Sequence, residues 1–225
     1  SGDCCATWPS STTATPRWPR ASRRPRTSPT TPTRSPRSVN TPSGPVPQIA
    51  PGEVRLTDAT QKIIAPQVAS DVQVARNFDP VAGGGACATA PGADQAGAAS
   101  YRLPVAPAGG YTLMGSPTVI ADVTSAGLDG QIAARLLDVA PNGDATLVSR
   151  ALYRPGTALS PTRQVFQLHP NGWKFEEGHV AKLELLPSDT PYGRVSNDPE
   201  PVIVSNLDFR IPVLEQPGTG PATAP

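Results

Sequence analysis

Two histidines, His169 and His179, are all this chain offers as imidazole bases. A serine hydrolase of the α/β class needs a nucleophile on a G-x-S-x-G elbow, then an acid, then a histidine. No G-x-S-x-G occurs in the sequence. His169 lies in LHPNGW, a turn-like stretch just after an apolar run, and His179 lies in EEGHV, just before one. Nucleophilic catalysis also needs the base held by a third group. Both histidines are therefore read as structural hydrogen-bonding residues, the catalytic set is expected to be empty, and the chain is expected to be inactive alone.

The other chemistry-bearing residues are equally sparse. Asp122, Asp138, Asp144, Asp189, Asp198 and Asp208 could suggest calcium, which gathers carboxylate and carbonyl oxygens from loops. No EF-hand spacing is present, and Asp138 and Asp144 flank a turn, where short aspartates bond nearby backbone. Glu176 and Glu177 read as solvated loop charge. The triple glycine at 83–85 lacks the Lys-Ser/Thr and the strand-to-helix context of a phosphate loop. Adjacent Cys4 and Cys5 would form a strained pair, Cys87 is single, and no C-x-x-C supports a metal or redox site. No metal and no cofactor are expected. Trp173, Phe175, Tyr153, Tyr192 and Phe166 could line a sugar-binding face, but core packing is the commoner fate of such side chains.

The elements that would position these residues are short strands broken by Gly, Pro, Asn and Asp. Candidate strands are 53–56, 61–64, 101–105, 116–124, 131–139, 145–153, 162–168, 179–186 and 201–211. Residues 79–99 read as a long Gly/Ala-rich surface loop. Pro104 marks 101–105 as an edge strand. Gln131–Val139 has helix-favouring Ala and Leu, yet it is short and abuts Asn142-Gly143, a strong hairpin signal. It is read as a strand. Many short strands with no helical pattern between them predict an all-β fold, a sandwich or jelly roll.

Composition divides the chain. Up to residue 45 the only acid is Asp3, against seven arginines; what remains holds 12 basic and 17 acidic residues, a net of −5. A mildly acidic folded part implies no polyanion-binding face, so nucleic acid is not expected as a partner. The first 50 residues are Ser, Thr, Pro, Arg and Ala-rich and cannot bury enough apolar surface to fold. The basic, Ser/Pro-rich character could be read as a nucleic-acid-binding or linker tail, but the composition is also what GC-rich DNA yields when read out of frame, and a frameshift or mis-assigned start over the first 40 or so residues is the sharper reading. The expected layout is a low-complexity leader over 1–50, a β-sandwich over 51–215 and a mobile tail over 216–225. No apolar run reaches the roughly 18 residues of a membrane helix, and membrane is not expected as a partner.

The run SPTVIADVTSAGLDGQIAARLLDVAPNGDATLVSRALYRP resembles the C-terminal non-catalytic domain of Xaa-Pro dipeptidyl-peptidases and cocaine-esterase-like serine hydrolases. The matching residues are Gly115, Pro117, Leu136, Asp138, Val139, Pro141, Gly143, Arg150 and Arg154. Further on, FEEGHVAKLELLPSDTP is similar to the family's strand and turn, at Phe175, Gly178, His179, Asp189 and Pro191. The resemblance covers about residues 52–214. It implies a jelly roll with galactose-binding-like topology that packs on an α/β-hydrolase domain carrying the triad, and an exposed apolar patch where that domain sits. A bacterial secreted or periplasmic setting fits such a hydrolase. The other reading is a free-standing carbohydrate-binding or structural β-sandwich.

Overall fold

A computed structural model of the chain describes residues 50, 52–65, 72–85, 87–127, 130–197, 200–215 and 222–223. All belong to one compact unit, Val46–Pro225. The leader and its out-of-frame reading, Cys4, Cys5 and Asp198 lie outside the described residues. The described elements are β1 (Gly52–Asp58), β2 (Lys62–Ile64), α1 (Val72–Asn77), a 3-10 turn at Pro80–Ala82, β3 (Thr89–Pro91), β4 (Ala99–Arg102), β5 (Tyr111–Gly115), β6 (Thr118–Ser125), β7 (Ile132–Val139), β8 (Asp144–Tyr153), β9 (Ala158–Gln167), β10 (Asn171–Phe175), β11 (Val180–Leu186), β12 (Val202–Val213) and β13 (Ala222–Thr223). The architecture is an all-β jelly-roll sandwich of two sheets.

The first sheet is built on β12. On one side β12 pairs antiparallel with β1 through Gly52↔Val213 to Asp58↔Leu207, and with β2 through Lys62↔Val204. On its other side β6 pairs with it from Thr118↔Arg210 to Ser125↔Val202, and β5 joins at Leu113↔Val213. β9 pairs with β6 and β10 with β5. Thus β5–β6, β9–β10 and β1–β2 each behave as one long strand with a break. Pro117 and Pro170 fall in two of the breaks, where a residue without an N–H donor cannot extend a ladder. The pairing of β12 with β6 shifts register between Ser205 and Asp208, and Asn206 there has φ 48°.

The second sheet runs β3-β8-β7-β11-β4, all antiparallel. The strand reading of 131–139 holds, and the reason for its helix-like appearance is visible: every residue of β7 is buried. Ile132, Ala134 and Leu136 enter the core between the sheets, with Leu56, Val123, Phe175, Leu183, Phe209 and Ile211. Leu137 and Val139 face the other way, into a smaller cluster with Val74, Phe78 and Ala90. A strand covered on both faces shows no apolar–polar alternation.

Several sequence expectations need correction. Residues 79–99 are not one loop, because they hold the 3-10 turn and β3, and α1 precedes them. β5 and β10 were not anticipated; HPNGW, read as a turn, contains the start of β10. The strand expected at 101–105 lies at Ala99–Arg102, on the sheet edge. The Asn142-Gly143 hairpin is real, but Gly143 N donates to Ala140 O, and of the two residues only Gly143 has positive φ, at 90°. That is a type I turn closed by a left-handed glycine, not a two-residue I′ turn. Gly84 packs back against the end of α1 at close quarters: a Cβ there would lie 2.1 Å from Asn77 O.

Candidate functional site

The two ends of the family motif meet on the outer face of the second sheet. Arg135 on β7, Lys182 and Glu184 on β11 and Arg150 on β8 all point away from the main core, at register positions that face one another. Arg135 Nε and Nη2 donate to Asp189 Oδ1 at 3.0 and 2.6 Å, and its Nη1 lies 3.5 Å from Glu184 Oε2. Lys182 Nζ donates to Glu184 Oε1 at 2.7 Å and to the carbonyls of Gly92 and Ala93. Arg150 Nη2 donates to Phe78 O, its Nη1 lies 3.4 Å from Asp79 Oδ2, and its Nε lies 3.9 Å from Asp189 Oδ2. Its guanidinium also sits 4.4 Å from the Tyr192 ring centroid. Arg135, Lys182 and Glu184 are 0% exposed and Asp189 is 1% exposed. Burying charged side chains this deeply is tolerated where they pair with one another and with backbone carbonyls, as these do.

This network fastens irregular segments onto the sheet. Residues 78–79 are held by Arg150, residues 92–94 by Lys182 and Arg102, and the 189–192 turn by Arg135 and Arg150. Burial acts to raise the Asp94 carboxyl, but Lys182 and Arg102 outweigh it and hold it below the ordinary carboxylate range. His169 shares a 2.7 Å hydrogen bond with the Tyr192 hydroxyl at the edge of this cluster.

A second group closes the other side of the same sheet. Asp138, buried on β7, accepts from Trp173 Nε1 at 3.0 Å and from His179 Nδ1 at 2.9 Å. Tyr111 stacks tilted on Phe175 nearby, and burial, with a lesser push from Asp138, drives its hydroxyl well above the usual phenol range. Asp138 therefore ties β7, β10 and the start of β11 together. The expectation that it serves the 140–144 turn fails; Asp144 alone does so, through Asn142. A carboxylate holding a histidine at Nδ1 is two-thirds of a catalytic triad in outline. Here both carboxylate oxygens are occupied, one by an indole, and the arrangement crosslinks strands.

The other aspartates are spread over the fold. Asp122 sits with Asn206 and Arg163, and Asp208 between Arg55 and Arg210. Burial acts to raise the Asp208 carboxyl, but hydrogen bonds from the two arginines outweigh it and hold it below its ordinary 3.8. A carboxyl depressed on folding adds stability above its unfolded value, and that stability is lost as pH falls through the folded value. The expected result is a stability gap between the parent chain and Asp208→Asn that is full at neutral pH and closes below 3.8. Thermal melts from neutral pH to about pH 2 read it; a gap that stays constant would contradict the assignment.

Among the five aromatics singled out, Phe166 and Phe175 are core residues, and Tyr153 and Trp173 pack against the core. Tyr153 stacks on Phe166 at 4.5 Å and hydrogen-bonds Gln164. Glu176 pairs with Lys174 and Glu177 accepts from Gly109 N, at the surface. Sequence reasoning missed Arg135, Lys182, Glu184 and Asp79. The only signal was charge inside apolar strands, at alternate positions in β11 and at Arg135 in β7, which in a sheet with one wet face means solvent.

The family model for the X-Pro dipeptidyl-peptidase C-terminal non-catalytic domain matches residues 6–217. A search of curated proteins found no match. Among solved structures, a selenomethionine-labelled alpha-amino acid ester hydrolase is similar at 17% identity and TM-score 0.44, over 52% of this chain and 25% of that one. An aminopeptidase from a marine sediment Thaumarchaeota archaeon gives 13% and 0.44, over 52% and 26%. A CocE/NonD family hydrolase from Staphylococcus aureus gives 13% and 0.41, over 56% and 32%. The chain thus spans a quarter to a third of the length of these solved chains.

Proposed function

The chain belongs to the X-Pro dipeptidyl-peptidase C-terminal non-catalytic domain family, and from that premise we propose that it is the accessory domain of an α/β-hydrolase of the dipeptidyl-peptidase or esterase type. It packs on a separate catalytic domain and helps to shape the active-site cleft; the Ser-Asp-His chemistry resides in that domain. The observation that carries this reading is the family match over residues 6–217.

Two features of the fold support it. His179 is turned onto Asp138 and His169 onto Tyr192, so both imidazoles already have partners that brace strands and turns. The outer face of the first sheet bears apolar side chains at register positions, Ile63 beside Ile203 and Ile120 beside Val165, with Ile63 and Val165 more than half exposed. The carboxylates around them are already paired, Asp208 with Arg55 and Arg210 and Asp122 with Arg163. Charges paired in advance cost less to desolvate when a protein surface docks on them.

The experiment reads the coding DNA upstream of this sequence in all three frames, then expresses any hydrolase domain found there with and without this domain. The expected result is a G-x-S-x-G hydrolase whose solubility or kcat/KM falls when the domain is removed. Absence of such a domain, or a hydrolase indifferent to its removal, would sink the proposal, and a glycan screen would then test the chain as a free-standing module.

A further inference from the structure

Among the described residues the sandwich has four strand edges, and three of them are protected by their own sequence. β3 ends in Pro91, β4 is four residues long and is followed by Pro104, and β9 carries Pro161 in its middle with β10 starting just after Pro170. Proline and shortness are two of the devices that stop an edge from recruiting another chain. β1 has neither. It is seven residues long, contains no proline, and pairs regularly with β12 along its whole length. Its other side would be an unprotected template.

That side is where β13 lies. Ala222 and Thr223 form β13, parallel to β1, with Leu56↔Ala222 and Thr57↔Thr223 in register. The reach is comfortable. Two strand spacings sideways and four residues along the strand put Ala222 about 16 Å from Val213, while nine residue steps extend to roughly 30 Å. The closing segment GTGPATAP has no charged side chain and almost no bulk. It can offer backbone hydrogen bonds to an edge but little else. Its two prolines flank the pairing residues, so β13 cannot itself become a long new edge.

We propose that β13 is an edge cap: by pairing with β1 it keeps that strand from pairing with β1 of a second copy. The cap is only two residues of ladder, and it holds against a second copy because it is joined to the same chain, at an effective concentration on the order of mM.

The test compares the full chain with a version ending at Glu215, which keeps the Glu215 carboxylate on Thr112 and so the end of β12. A second variant, Ala222→Pro with Thr223→Pro in the full chain, removes both N–H donors, one of which faces β1. Molar mass is measured by light scattering across a concentration series, with circular dichroism to confirm the fold. The expected result is a monomeric full chain and concentration-dependent dimers for both variants. Hydrogen exchange should show β1 amides exposed in the truncated monomer and protected again in its dimer. Variants that stay monomeric at every concentration, or that associate while their β1 amides remain as exposed as in the truncated monomer, would overturn the proposal.

Discussion

Arg135→Met is expected to destabilise the domain by about 3–5 kcal/mol, the cost of breaking a buried ion pair by removing one partner. Met keeps most of the volume of the arginine stem, so the loss is one of charge rather than packing. It strands Asp189, which accepts both Nε and Nη2 of Arg135, and it removes the cation nearest Glu184 Oε2. Lys182 still reaches Glu184, but Asp189 keeps only Arg150, at 3.9 Å. For a domain of this size the loss corresponds to a fall in Tm of roughly 6–20 °C. Pairing it with Asp189→Leu should recover most of the loss, because replacing both members of a buried ion pair by apolar residues is often neutral or better. Urea unfolding of the single and double variants measures both terms. A single variant within about 1 kcal/mol of the parent would mean that the network is hydrated and the outer layer is not sealed.

Phe209→Ala should cost a similar amount, about 3–5 kcal/mol, for a different reason. Phe209 is fully buried on β12, the strand that pairs with β1, β2, β5 and β6. It sits opposite Leu56 and Val119, and all three belong to the cluster between the sheets. Neighbours on three paired strands leave a cavity that cannot collapse without moving the backbone, which places the cost toward the upper end. The two substitutions are on different sheets and share no partner, so their effects should add. A sum well short of additivity would indicate that the outer face of the second sheet and the central core are coupled.

The sequence reports the inner layer of this fold better than the outer one. β6, with its strict alternation of buried and half-buried residues, and β8, after an Asn-Gly turn, are legible because one face is wet or a turn residue marks the end. β5 and β10 are not, because each is the far half of a strand broken near a proline, and a proline read in isolation signals a boundary. Arg135 shows the limit most clearly. A lone arginine amid IAARLLDV looks like a solvent-facing position, and its partner Asp189 stands 54 residues away in a turn. Nothing local announces that α1 and the segments around β3 will cover that face. Asp138 was visible as part of a motif, but its bonds to Trp173 and His179 come from residues 35 and 41 positions further on. The spacing suggested a turn; long-range pairing decided otherwise.

The account rests on this domain lacking a hydrolytic centre of its own, and the direct measurement is turnover by the purified chain. Gly-Pro p-nitroanilide and short p-nitrophenyl esters are the substrates, with a fluorophosphonate probe to report any activated serine. The predicted result is no saturable turnover, no labelling, and a residual rate for the ester no greater than that of the His179→Ala and His169→Ala variants. Saturable hydrolysis abolished by either substitution, or stoichiometric labelling of a serine, would contradict the account and place a catalytic centre within the sandwich.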